Sequence, residues 1–174
     1  KMNANNARLK LVARIRISLF LIVLLLSMKG GDNMKNNILS TLFVGIDVSS
    51  KTNVLCALDF QGNKLLNLKA SNNNPGAESM LKSILECLNS NNLKYAVIAL
   101  ESTSIYSVHV ANFLSSHENL ALFEPKVYCL NPKTIVNYRK SFVDMDKTDP
   151  LDAYVIADFA RCRRITSSPW RGSQ

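Results

Sequence analysis

The chain has 174 residues, 47% hydrophobic and 20% charged, a balance that suits one folded domain and excludes wholesale disorder. Four scattered cysteines (Cys56, Cys87, Cys129, Cys162) form no C-x-x-C and only two histidines occur, which excludes a disulfide scaffold, leaves zinc almost no ligands, and fits reduced thiols of a cytoplasmic protein. The net charge of +8 is uneven: residues 1–35 carry seven basic residues against Asp32 alone, while residues 36–174 are nearly balanced, so the charge says little about the folded part.

Residues 1–16 are basic and lead into an apolar run at 17–26 (ISLFLIVLLL). Ten helical residues rise about 15 Å, half of the ~30 Å that spans a bilayer. The outline is that of a signal peptide, yet residues 27–31 offer no small-x-small cleavage site and the chain begins with Lys1. Translated upstream sequence with a start at Met28 or Met34, an anchoring segment and a buried helix all stay open. Residues 1–33 are therefore read as an extension, 34–165 as the domain, and 166–174 as the start of a linker; no membrane is expected for the folded domain.

Residues 42–48 (LFVGIDV) and 52–60 read as strands, and Gln61-Gly62-Asn63 as a turn into a third at 64–70. After an Asn-rich loop, Met80, Leu81, Ile84, Leu85 and Leu88 have helical spacing within 77–88. The apolar run 95–100 (YAVIAL) predicts a central strand, followed by a helix at 104–114, a strand at 126–130, and helices at 132–142 and 150–164. Three meandering strands followed by α/β alternation predict an α/β fold, a mixed sheet with helices on its faces.

Four acids stand where such a sheet gathers groups. Asp47 closes the first strand, Glu101 the apolar one, and Asp149 and Asp152 open the last helix with the i, i+3 spacing of one face. An acid at the end of an apolar strand is costly unless paired or metal-bound. Carboxylates without histidine or cysteine favour Mg²⁺ or Mn²⁺, and two such ions about 3.5–4 Å apart can clamp a phosphodiester displacement. Ordinary roles compete: Asp149-Pro150-x-Asp152 is also a good helix start, Asp47 could form an Asx turn before Ser49-Ser50, Glu101 could open a helix, and Asp144 and Asp146 suit a solvated turn.

Gly45-Ile46-Asp47-Val48-Ser49-Ser50-Lys51, Glu101-Ser102-Thr103-Ser104-Ile105-Tyr106, Asn131-Pro132 and Lys147-Thr148-Asp149-Pro150-Leu151-Asp152-Ala153 occur in this order. Together they resemble the N-terminal domain of DEDD-type transposases, the family of insertion sequence 110, from about residue 42 to the end of the chain. The resemblance implies an RNase H-like, RuvC-like fold in which Asp47, Glu101, Asp149 and Asp152 bind Mg²⁺ (or Mn²⁺) and promote DNA strand cleavage and exchange. It also implies DNA as partner, in several members a structured guide RNA, and a homo-oligomer when full length. Two departures stand out: serine at Ser104, where the family has glycine, and an end before the C-terminal domain that carries a nucleophilic serine. The piece is accordingly expected to hold the metal site without completing transposition alone.

Lys51, Lys147, Arg161, Arg163 and Arg164 are the candidates for contacting nucleic acid, the arginines being equally suited to a solvated helix end. Tyr106 and Tyr138 read as packing residues, and His109 and His117 as surface or loop histidines. An actin-like ATPase or sugar kinase is disfavoured: its phosphate loop wants glycine at Ser49, and no glycine lies between Gly76 and Gly172. A Holliday-junction resolvase-like nuclease, with a similar acid set, and an inactive truncated remnant or nucleic-acid-binding module remain as alternatives.

If residues 1–33 lie outside the domain, residues 34–174 expressed alone melt cooperatively. Loss of a cooperative transition would refute the boundary.

Overall fold

β1 (Thr41–Val48) is apolar almost throughout because it lies at the centre of the sheet with both faces covered. It pairs antiparallel with β2 (Thr52–Leu58), which pairs antiparallel with β3 (Lys64–Ser71). On its other side β1 pairs in parallel with β4 (Tyr95–Glu101), which pairs in parallel with β5 (Lys126–Leu130). The order β3-β2-β1-β4-β5, a three-stranded meander continued by two parallel strands with helices on both faces, is the RNase H-like mixed α/β sheet. This computed structural model describes residues 37–102, 105–142, 149–162 and 164–172, for Asp149 and Pro150 the backbone only. The chain divides into two compact units, Lys1–Ile38 and Leu39–Gln174. The first lies almost wholly outside the described residues, as does the apolar run at 17–26; the second carries the sheet. Among the described residues no helix is long and apolar enough to cross a membrane.

α1 (Asn74–Ser90) starts earlier than its apolar spacing suggests. Asn73 caps it, its side chain accepting from Gly76 N at 2.9 Å, and Pro75 fits the first turn. The helix lays Met80, Leu81, Ile84 and Leu88 on one sheet face, against Leu42, Val44, Ile46 and Ile98. α2 (Ile105–Ser116) adds Val110, Ala111 and Leu114 to the same core. A short α3 (Glu118–Ala121), too brief to show a period, is capped by His117, whose ring accepts from Asn119 N at 3.3 Å. α4 (Pro132–Arg139) and α5 (Asp149–Arg161) are each three residues shorter at the C-terminal end than the sequence suggests.

α5 covers the opposite sheet face, placing Ala153 and Ala157 against Val54, Cys56 and Leu58. Its approach to β1 is set by Gly45. A Cβ there would collide with the Ala153 carbonyl oxygen and Ala157 nitrogen and lie 2.9 Å from Ala157 Cα. Residues 166–172, the described part of the expected linker, are tied to the domain through Trp170: its backbone N–H donates to Val127 O at 2.7 Å and its indole to Asn112 Oδ1 at 2.8 Å.

Gly45→Ala must push α5 off the sheet, because the obstructing atoms are backbone. We expect a loss of about 3 kcal/mol or more, at the upper end of overpacking costs, measurable by urea unfolding. An unchanged midpoint would show that the helix has room to shift.

Candidate active site

Ile46 pairs with Leu100 across the parallel β1–β4 ladder, so Asp47 and Glu101, next along the two strands, stand side by side about 4.8 Å apart. Glu101 is the last residue of β4, and α2 begins only at Ile105, so Glu101 does not open a helix. Asp47 likewise stays in the ladder, opposite Val54. The following turn is closed by Ser49, whose hydroxyl donates to Thr52 O at 2.6 Å and accepts from Thr52 N at 3.1 Å. Both acids are half-buried. Side chains alternate along a strand, so Asp47 shares the face of Gly45, the face covered by α5.

The direction of α5 brings its N-terminus to the same end. At its C-terminus Arg161 donates to Phe60 O at 3.1 Å and lies beside Gly62, beyond the end of β2 and opposite the start of β1. The first turn of α5, with Asp149 and Asp152, therefore points toward the ends of β1 and β4. From the crossing at Gly45, which lies between Ala153 and Ala157, Asp149 is about 6–12 Å back along the helix and Asp47 about 6.8 Å onward along the strand.

The acids do not all converge. Asp152 is ion-paired with Arg139, the last residue of α4, both side chains being largely buried. Among the described residues no group of three His, Cys, Asp or Glu side chains could hold a metal ion. The side chain of Asp149 lies outside the described residues, as do Lys147, Arg163, Asp144 and Asp146. By their chemistry, the oxygen donors of two carboxylates on adjacent strand ends suit a hard divalent cation.

The predicted nucleic-acid residues are placed differently from one another. Lys51 is exposed in the β1–β2 turn, at the acid end of the sheet. Arg161 is directed inward: Nε and Nη2 donate to Asp158 Oδ1 at 2.8 and 2.6 Å. Burial works against its charge, and Asp158 more than offsets this, so its pKa rises. Arg164 lies over the Tyr138 ring, 5.1 Å from the centroid.

Asp158, which sequence reasoning passed over, is the hub of this cluster. It is buried, accepts from Arg161 on one oxygen and from Tyr138 Oη at 2.7 Å on the other, and so joins α4, α5 and the β2–β3 turn. Tyr138 packs edge-on against Phe142 and Phe159, with ring centroids 5.3 and 5.2 Å away. The i, i+3 spacing of Asp158 and Arg161 was the only sequence signal for it. Arg139 had none, since its partner lies on another helix.

A family model described as Transposase, of the DEDD type of insertion sequence 110, matches residues 44–174. Among solved structures, RuvC of T. thermophilus in complex with a Holliday junction substrate is similar over 75% of this chain and 99% of its own, at 14% identity and a TM-score of 0.47. No curated protein matches.

Burial first, then the hydrogen bonds to Cys162 and Asp158 and the Asp158 charge, push the Tyr138 hydroxyl above its ordinary pKa of 10.0. The unfolded chain then releases this proton first, so the contribution is full below pH 10 and is lost as pH rises beyond it. Tyr138→Phe is expected to cost about 1–3 kcal/mol at pH 7 and to flatten the decline above pH 10, read by urea unfolding across pH 7–11. An equal alkaline slope in both proteins would rule Tyr138 out as its source.

Proposed function

The chain belongs to the DEDD transposase family of insertion sequence 110, and from that premise we propose that it carries the metal-dependent strand-cleavage site of a DNA transposase. The observation that carries this reading is the placement of Asp47 and Glu101 on adjacent parallel strands, at the sheet end toward which the first turn of α5 points. Asp47 and Glu101 would hold Mg²⁺ or Mn²⁺, with Asp149 and Asp152 completing the donor set. Such an ion, when bound, supplies positive charge to a phosphodiester and lowers the pKa of a water.

The chain's own residues do the positioning. Gly45 lets α5 approach β1, and the first turn of that helix, which carries Asp149 and Asp152, points toward the strand ends that carry Asp47 and Glu101. Arg139 holds Asp152 by charge, so recruiting Asp152 to a cation means exchanging one positive partner for another. DNA is the proposed substrate, since a carboxylate site that holds divalent metal is suited to phosphodiesters.

The test is a Mn²⁺ titration of the full chain and its Asp47→Asn variant, followed by melting temperature. A ligand at 100 times its Kd adds about 2.7 kcal/mol, roughly 5–10 °C for a protein of this size. The wild type should rise by that order while Asp47→Asn, still folded, should not. Equal shifts would place the metal elsewhere and remove Asp47 from the site.

A further inference from the structure

The last two residues of α4 both reach α5, at different points along it. Tyr138 Oη donates to Asp158 Oδ2 at 2.7 Å, whereas Arg139 is ion-paired with Asp152. Asp152 lies six positions before Asp158, about 9 Å nearer the N-terminus of the helix. The first contact belongs to the cluster closed by Arg161, and the second engages one of the four acids proposed for the cation site. The Arg139 and Asp152 side chains are only 25% and 15% exposed, so salt screens the pair little. Asp152 Oδ1 is buried and accepts no hydrogen bond among the described residues, so the pair is held by charge without a directional bond. A buried carboxylate oxygen with unmet acceptor capacity is costly, and coordination to a hard divalent cation would satisfy it.

Arg139 thus brings one positive charge to an acid that would otherwise serve a metal ion. A partner that orients a metal ligand does so through a directional hydrogen bond, which Asp152 Oδ1 lacks. A guanidinium that only neutralises the carboxylate instead repels a second cation and competes with it. Release is also undemanding. Arg139 stands in the last turn of α4, where the helix dipole favours a cation whether or not Asp152 is engaged. The Tyr138–Asp158 bond keeps α4 seated on α5 meanwhile. We propose that Arg139 is a built-in counter-ion: it neutralises Asp152 in the metal-free protein and yields it to Mg²⁺ or Mn²⁺, so that Asp152 joins the site only with the cation. The proposal rests on the reading of Asp47, Glu101, Asp149 and Asp152 as a metal site and deepens it.

Mn²⁺ binding to the full chain is followed by the electron paramagnetic resonance signal of the free ion, with melting temperature measured in parallel. Competition is reciprocal, so Arg139→Gln should bind Mn²⁺ about tenfold or more tightly than the wild type. Without metal this variant should melt lower, because a largely buried carboxylate has lost its charge partner, and saturating Mn²⁺ should close that gap. Arg139→Lys, which keeps the charge, should bind as the wild type does. In an Asp152→Asn background, Arg139→Gln should no longer change Mn²⁺ affinity. If the wild type binds Mn²⁺ through Asp47 while Arg139→Gln binds it equally or more weakly, Arg139 only supports Asp152; the proposal falls and the functional reading stands. Tightening that persists in the Asp152→Asn background overturns it as well. A wild type that binds no Mn²⁺ removes the functional reading, and the proposal with it. Should Arg139→Gln fail to fold, the arginine Nε resonances of the ¹⁵N-labelled wild type decide, with Arg139→Lys assigning the signal. Mg²⁺ should shift the Arg139 resonance and leave that of Arg161 in place, and an unmoved Arg139 signal at saturating Mg²⁺ overturns the proposal.

Discussion

The architecture depends on how closely α5 lies against β1. At Gly45 no side chain separates strand from helix, and the Ala153–Ala157 turn rests on the strand backbone. Small residues on both partners are needed for such contact, because any Cβ at Gly45 would meet peptide atoms that cannot rotate away. This one contact fixes the height of the helix over the sheet. The height in turn determines whether acids on the helix and acids on the strands can share a site.

The two ends of α5 handle charge in opposite ways. At the C-terminal end Asp158 is neutralised within the protein, by Arg161 and by the Tyr138 hydroxyl, and Phe60 O takes a further guanidinium bond. That closed cluster ties the helix to α4 and to the β2–β3 turn. At the N-terminal end acids accumulate. Asp47 and Glu101 stand on adjacent strands, and carboxylates placed side by side favour a positive partner nearby. Arg139 already plays that part for Asp152. The Asp158 cluster works as an anchor for the C-terminal end of the helix.

The two sheet faces are covered differently. α1 and α2 close one face, whereas on the other α5 packs on β1 and β2, and Asn67 and Lys69 of β3 are exposed. The long apolar runs of β1 and β4 and the alternation of β3 follow from these positions: strands buried on both faces have no polar residues to spare, and an edge strand buried on one face alternates. The element order was legible for that reason, as was the helical period of α1. The caps were harder to read. Asn73 sits seven residues ahead of Met80, the first periodic apolar position, and α3 is one turn long.

From the order of its residues alone, this chain determined its strands and helices, the strand-end position of Asp47 and the family to which its motifs belong. These are local properties, written in periods of 2 and 3.6 residues and in short motifs. Only the tertiary structure decided that Glu101 stands beside Asp47, that Arg161 turns inward to Asp158, and that Arg139 holds Asp152. A basic residue looks the same in sequence whether its partner is water, a phosphate or a carboxylate. The partner is chosen by which backbones pack together, and for Arg161 and Phe60 those lie 101 residues apart.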